Sequence, residues 1–277
     1  MVNYSKFRLI DHTTTKVIHG IPNTAITSFA IDDALALSVS DQSSPPILRL
    51  WSHPATVVLG IPDTRLPFIE AGIKLLTEQG YHVIVRNSGG LAVALDEGVL
   101  NMSLILPDVK RLSIEDGYEK MFRFVKHMLR HLTTDIQAYE IVGSYCPGDY
   151  DLSINGVKFA GISQRRLRDG AAIQIYLDVE GKSRERAVHI QKFYEVSRQQ
   201  VETSFTYPTV NPDVLGSLSN ILNKQITIED IKQRVFQTLA SFTEQIVSQS
   251  LLETELEAFN KRYEQMIKRN EKIAQFQ

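Results

Sequence analysis

The spacing of apolar residues changes several times along this chain, and each change marks an element. Over residues 27–40 apolar side chains fill a helical stripe. Ser28 is placed to cap it, with Asp32 and Asp33 in a first turn where the helix dipole favours carboxylates. Ser43-Ser44-Pro45-Pro46 ends that helix, and short β-type runs follow at Ile47–Trp51 and Thr56–Leu59. Gly60-Ile61-Pro62-Asp63 reads as a turn and 66–79 as an amphipathic helix stopped by Gly80. Residues 81–86 form a strand pattern that breaks on Asn87-Ser88-Gly89-Gly90; 91–94 and 101–106 are further strands joined by Asp96-Glu97-Gly98. Ser113 opens a helix whose apolar positions Tyr118, Met121, Phe122, Val125, Met128, Leu129 and Leu132 fall three and four apart.

The second half predicts strands near 137–142, 152–154, 158–162 and 171–179. Asn155-Gly156 gives a tight hairpin signal between two of them. Helices are predicted over about 184–202, 212–222 and 227–247. Strands cluster with short turns instead of alternating with helices, which predicts an α+β fold: a mixed, mainly antiparallel sheet with helices packed on it. From Leu252 onward, Leu256, Phe259, Tyr263, Met266 and Ile273 step by four and three, and Asn270 breaks the series. That is one long amphipathic helix, lying along its own domain or serving a partner or dimer. The expected organisation is an N-terminal segment over 1–44 belonging to the same unit as a catalytic domain over 45–247, followed by the helix over 248–277.

Composition narrows the function classes. With 43% hydrophobic and 22% charged residues in 277, the chain can bury a sizeable core and is neither disordered nor collagen-like. Thirty Lys plus Arg against thirty-two Asp plus Glu leave a net charge of −2, so no general basic field calls for nucleic acid or an anionic membrane. No apolar run has signal-peptide character or approaches the ~20 residues of a membrane span, so the expected location is the cytoplasm. The lone cysteine, Cys146, excludes an internal disulfide framework and an all-cysteine zinc site. Phosphate-loop and dinucleotide fingerprints are absent. His127 and His131, four apart on a helix, lack the glutamate of a zincin and read as surface histidines.

Cys146 lies in Gly143-Ser144-Tyr145-Cys146-Pro147-Gly148-Asp149, a loop context open to packing, redox or nucleophilic roles. A nucleophilic thiol needs a base or cation to favour the thiolate, and the sequence selects no histidine for it. Lys158 opens the strand after Asn155-Gly156. It is either a solvated edge lysine or a held cation; facing Cys146, it would favour the thiolate and shuttle a proton to a leaving amine. Ala160-Gly161 beside it would let backbone amides approach an acyl oxygen. Ser88-Gly89-Gly90 marks either a bend or a close backbone approach to a ligand.

Three ordered motifs resemble the lipoate ligase, octanoyltransferase and biotin ligase superfamily over roughly residues 45–247. They are Arg86-Asn87-Ser88-Gly89-Gly90-Leu91-Ala92-Val93; Asp96-Glu97-Gly98 with Asn101-Met102-Ser103; and Gly156-Val157-Lys158-Phe159-Ala160-Gly161-Ile162-Ser163-Gln164-Arg165. The resemblance implies a class II aminoacyl-tRNA-synthetase-like catalytic fold. It implies an acyl pocket drawing on Arg86, Ser88, Gly89, Gly90, Ala92, Ala160 and Gly161. The context of Cys146 resembles the octanoyl-[glycine cleavage H protein]:protein N-octanoyltransferases of Gram-positive bacteria. That resemblance makes Cys146 the acyl-thioester nucleophile and Lys158 the residue that promotes its ionisation. It further implies octanoylated H protein as the donor, lipoyl domains of 2-oxoacid dehydrogenase complexes as the acceptors, and no requirement for ATP or metal. Other readings remain: an octanoyl-[acyl carrier protein]-dependent transferase, an ATP-dependent lipoate ligase, and a non-catalytic lipoyl-domain-binding module. Where many members carry a His-Asp pair this chain has Leu95-Asp96, and where many carry a third glycine it has Leu91; both fit a pocket for a short aliphatic chain. Arg165-Arg166-Arg168 and Lys182-Arg184-Arg186 are either docking clusters for acidic carriers or solvated charge.

Overall fold

In the large sheet, side chains opposite one another across five strands line up in rows, and one such row makes a wall of the site. The computed structural model describes residues 4–277. Its strands are β1 (Lys6–Asp11), β2 (Val17–Ile18), β3 (Ile21–Pro22), β4 (Ile47–Trp51), β5 (Thr56–Leu59), β6 (His82–Val85) and β7 (Val93–Leu95). They continue with β8 (Val99–Leu106), β9 (Ile136–Ala138), β10 (Asp151–Ile154), β11 (Val157–Leu167), β12 (Gly170–Asp178) and β13 (Gln245–Ser248). The helices are α1 (Ala25–Ser40), α2 (Ile69–Glu78), α3 (Ile114–Met128), α4 (Ser183–Arg198), α5 (Leu218–Ile221), α6 (Ile228–Ala240) and α7 (Glu253–Ala274). The large sheet runs β13-β1-β4-β8-β12-β11-β10-β9 and is antiparallel from β4 onward; β13, β1 and β4 are parallel. A smaller sheet runs β6-β5-β7. This is the α+β class that the clustering of strands predicts.

Period-two alternation sends successive residues to opposite faces of the large sheet. Leu48, Leu50, Met102, Leu104, Ile173 and Ile175 bury one face against Met121, Phe124, Val125 and Met128 of α3 and against α6. Each such side chain, fully buried, contributes roughly 1.5–3 kcal/mol. Ser113 caps α3 with a reciprocal Ser113–Asp116 capping box. The other face carries the row Trp51, Asn101, Tyr176, Gly161, Asp151 and, two residues along, Arg49, Ser103, Gln174, Ser163. It looks towards α1, the small sheet, α2, α4 and α7, which share the second core.

Several elements depart from the pattern reading. Helix α1 starts at Ala25 after Thr24, so Ser28 does not cap it and Asp32 and Asp33 are not in its first turn. All three are buried, because α1 is enclosed on nearly all sides, between the sheet and α7. Asp32 pairs with Arg49 at 2.9 Å and accepts from Ser103 and Gln174; Asp33 pairs with Arg165 at 3.1 Å. The predicted helix over 227–247 stops at Ala240, since residues 245–248 find a better use pairing with β1. The one over 212–222 resolves into a 3₁₀ turn at Pro212–Val214 and the single turn α5. Strands β7 and β8, consecutive in sequence, belong to different sheets.

Helix α7 uses its apolar stripe internally: Phe259, Met266 and Ile273 are buried in the core shared with α1. Asn270, which breaks the stripe, caps the open edge of β6. Its Oδ1 accepts from Val85 N–H at 2.7 Å and its Nδ2 donates to the Val85 carbonyl at 3.2 Å. Gln277 does the same for Val83. Two amide side chains thus replace a missing neighbouring strand, satisfying backbone groups that would otherwise be orphaned. The start of α7 is fixed by a two-pronged Arg8–Glu255 ion pair, both side chains fully buried. Strand β6 runs directly into Arg86, so this bracing reaches the site.

Candidate active site

The small sheet delivers one half of the site. Strand β6 ends at Val85, Arg86 follows, and residues 87–92 turn the chain back into β7. Gly90 adopts φ +101°, a conformation other residues enter only with strain. A Cβ there would lie 2.2 Å from Arg86 Nη2 and 2.8 Å from Cys146 Sγ. Gly60 is required for a related reason: its Cα packs on the Gly90 carbonyl, and a Cβ would come to 1.8 Å of that oxygen.

The large sheet delivers the other half. Asn155 and Gly156 take φ +52° and +77°, as the hairpin signal requires, and join β10 to β11. Upstream, the segment over 139–150 carries Cys146, itself at φ +47°. The Cys146 sulfur is half-buried and accepts from Leu91 N–H at 3.1 Å and Arg86 Nη2 at 3.3 Å. The same guanidinium nitrogen donates to the Leu91 carbonyl at 2.9 Å. Two donors, one of them cationic, thus converge on one sulfur.

Lys158 is fully buried. Its ammonium pairs with Asp151 Oδ1 at 2.8 Å and donates to the carbonyls of Tyr145 (2.9 Å) and Cys146 (3.0 Å) and to Ser144 Oγ (3.1 Å). Asp151 Oδ2 in turn accepts from Ile141 N–H and Ser144 Oγ. Burial pushes the Asp151 carboxyl up, and the Lys158 charge and its hydrogen bond pull it back. Lys158 therefore grips the loop that carries Cys146 from below, its hydrogen bonds going to that loop's oxygens and none to the sulfur.

Cys146 opens onto a cavity of about 290 Å³. Val58, Val93, Leu95, Phe29 and Trp51 give it apolar walls; the sheet row contributes Asn101, Tyr176 and Gly161. Tyr118 and Tyr150, ring centres 5.3 Å apart, stand beside Pro147 and the exposed Asp149. A confined apolar space with a few polar groups suits one aliphatic chain.

Of the residues anticipated from sequence, Arg86, Gly89, Gly90, Gly161 and Cys146 line this cavity, and Lys158 lies under the Cys146 loop. Ser88, Ala92 and Ala160 are buried off its wall. Ala160 packs in the opposite core, and residues 160–161 sit between two paired strands, so sheet pairing occupies their backbone groups. The backbone amide aimed at the Cys146 sulfur is that of Leu91. The proposed basic docking clusters are largely engaged: Arg165 with Asp33, Arg166 with the carbonyls of Val109, Leu112 and Ser113, Arg186 buried with Asp96 and Asp178, and Arg184 with Asp213. Sequence reading missed Asp151. It flanks the same hairpin as Lys158, but the register shift between Leu152 and Ser153 defeats a simple alternation.

Among the described residues no group of three His, Cys, Asp or Glu side chains could hold a metal, and no helix is long and apolar enough to cross a membrane.

Residues 24–240 match the family model described as the lipoyl protein ligase A/B catalytic domain, and the chain belongs to that family. It is 58% identical over 271 residues to an octanoyl-[GcvH]:protein N-octanoyltransferase of Oceanobacillus iheyensis, spanning 98% of this chain and 97% of that one. It is 47% identical to a lipoyl-[GcvH]:protein N-lipoyltransferase of Listeria monocytogenes, over 96% and 95% of the two chains. A lipoate-protein ligase A bound with ATP shares the fold, with a TM-score of 0.69 at 16% identity over 94% of each chain.

Proposed function

We propose that this chain is an acyltransferase. It moves an octanoyl or lipoyl group from the lysine of the glycine cleavage H protein to the lysine of lipoyl domains in 2-oxoacid dehydrogenase complexes, through a thioester on Cys146. The observation that carries this reading is the Cys146 sulfur, held by Leu91 N–H and Arg86 at the opening of an apolar cavity. Near-full-length identity to proteins named for such transfers supports it.

The Cys146 thiolate attacks the acyl-lysine carbonyl, and the Leu91 amide and Arg86 guanidinium, already on the sulfur, stabilise the oxyanion. The carbon–nitrogen bond breaks as the departing amine takes a proton. Of the two cations at Cys146, a guanidinium holds its protons at any working pH, whereas an ammonium can exchange one. We assign the donation to Lys158, whose ammonium must leave the Tyr145 and Cys146 carbonyls to reach the amine, with Asp151 keeping its charge paired. The acyl thioester remains on Cys146. A neutral lysine amine of the acceptor domain then attacks, gives its proton to Lys158 and releases the thiolate. An amide is exchanged for an amide, so no ATP and no metal is needed; the thioester is the high-energy point of the cycle, and its formation is reversible. Residues 4–247 act as one catalytic unit braced by helix α7, and the protein works in the cytoplasm.

The test is transfer from octanoylated H protein to an isolated lipoyl domain without ATP, followed by mass. Label reaching the acceptor supports the reading. Transfer only from octanoyl-acyl carrier protein would reassign the donor, and a strict need for ATP would make the chain a ligase.

A further inference from the structure

The hydrogen bonds around Asp63 lead from helix α4 to the amide that faces Cys146. Asp63 is fully buried in the 3₁₀ turn Pro62–Arg65, and its Oδ1 accepts from the Tyr194 hydroxyl of α4 at 2.9 Å. The same hydroxyl accepts from Ala92 N–H at 3.2 Å, and Asp63 Oδ2 accepts from Gly60 N–H at 2.8 Å. Both backbone groups border the residues that hold the sulfur. Ala92 follows Leu91 directly, and Gly60 packs on the carbonyl of Gly90.

We propose that Tyr194 and Asp63 are positioning residues for the acyl-transfer site: through Ala92 and Gly60 they hold residues 90–91 so that the Leu91 amide and the Arg86 guanidinium stay on the Cys146 sulfur. The inference rests on the reading of Cys146 as nucleophile. The chemistry accounts for the residue types. A carboxylate only accepts, and here it faces two donors; a hydroxyl can accept from Ala92 and donate to Asp63 at once, which no apolar side chain of the same shape can do. The two residues arrive from different elements, so the sulfur cradle is set by the packing of α4 on the small sheet and not by the Gly-rich turn alone. Neither residue lines the cavity or carries a proton in the reaction. Tyr194 is also packed against Phe193 and Tyr207, and a phenyl ring keeps that packing.

The experiment compares Tyr194→Phe with Tyr81→Phe. The hydroxyl of Tyr81, which precedes β6, bonds His189 of α4 away from the glycine turn, so it controls for losing one tyrosine hydroxyl held against α4. Two quantities are read in the full-length protein. One is the rate of Cys146 alkylation by iodoacetamide as a function of pH, and the other is the rate of octanoyl adduct formation from octanoylated H protein. Tyr194→Phe is expected to move the alkylation midpoint to higher pH and to slow adduct formation about tenfold, the loss of one hydrogen bond of roughly 1.4 kcal/mol. Donor half-saturation should change little. Tyr81→Phe should leave both readings at the wild-type level. Should Tyr194→Phe fold poorly, Asp63→Asn is read in its place, with the same alkylation shift expected. An unshifted alkylation profile in the folded variants, or an equal shift in Tyr81→Phe, overturns the positioning role. Absence of any adduct in the wild type, with the alkylation shift intact, overturns the acyl-transfer reading and leaves the positioning one standing.

Discussion

The Lys158 ammonium donates to the carbonyl oxygen of Cys146 at 3.0 Å, while the sulfur of the same residue is served by Arg86 and Leu91. The two cations divide their contacts: one holds the backbone of Cys146, and the other faces its sulfur. The sequence reading set Lys158 against the Cys146 sulfur, as promoter of the thiolate and proton shuttle, because the intervening loop conformation, with Cys146 at φ +47°, cannot be read from residue order.

Lys158 is paired to Asp151 in a fully buried setting, so removing one partner leaves an uncompensated charge. Lys158→Met is expected to lower unfolding stability by about 3–5 kcal/mol, and Asp151→Asn added to it to restore a large part of that loss. Urea unfolding of the two single variants and the double variant gives the coupling. Additive losses would contradict the pairing, and transfer activity should be absent from Lys158→Met and from the double variant.

Gly90→Ala is expected to abolish acylation while the protein stays folded. Its Cβ would collide with Arg86 Nη2 and Cys146 Sγ, and alanine is strained at φ +101°. Circular dichroism and Cys146 alkylation check the two halves of this statement. Normal alkylation would show that the turn has room the geometry denies it.

Arg86→Gln keeps a donor near the sulfur and removes the charge. If the guanidinium stabilises a thiolate, alkylation at neutral pH should slow by about tenfold or more, the worth of one charge-assisted hydrogen bond at roughly 1.5–3 kcal/mol. Arg86→Lys should recover only part of the rate, since a point charge cannot contact Sγ and the Leu91 carbonyl with the same planar fork. Equal rates in wild type and Arg86→Gln would remove the charge from the mechanism.

Acid response has a defined sign at two histidines behind the cavity. Burial and then the Arg49 charge push both His12 and His53 down to about 3. A histidine held below its unfolded value near 6.5 contributes stability that is present above that value and lost as pH falls towards 3. Asp63 and Asp178 act oppositely: burial raises both to about 6, so their contribution is present at low pH and lost as pH rises through 6. His53→Gln, which keeps a partner for Ser28 Oγ, is expected to reduce the acid loss between pH 6 and 4 by roughly 1.4 kcal/mol per pH unit. Urea unfolding across that range measures it, and an unchanged slope would mean that His53 is protonated in the native state.

Much of this architecture follows from period and turn chemistry. The α3 stripe with its Ser113 cap and the Asn155-Gly156 hairpin are local signals that tertiary packing leaves in place. Helix α1 was only half legible: its polar residues Ser28, Asp32 and Asp33 read as a cap and a first turn, yet they form a buried network with Arg49, Arg165 and His53, which long-range pairing alone can arrange. Asn270 read as a flaw in an amphipathic stripe, because strand edges in need of a cap are invisible along a helix. At the site, Cys146, Lys158 and the glycines were legible as residue types and motif order. Their partners Leu91, Asp151 and Tyr194 were not, since a backbone amide carries no sequence signature and the other two act across 7 to more than 100 positions.

The central claim is that Cys146 carries the acyl group. It is tested most directly by mixing the protein with octanoylated H protein, without ATP or acceptor, and reading the intact mass with peptide mapping. The expected result is a single octanoyl adduct on Cys146, lost in Cys146→Ala and discharged on adding a lipoyl domain. No adduct in the wild type, or one that persists in Cys146→Ala, would contradict the account.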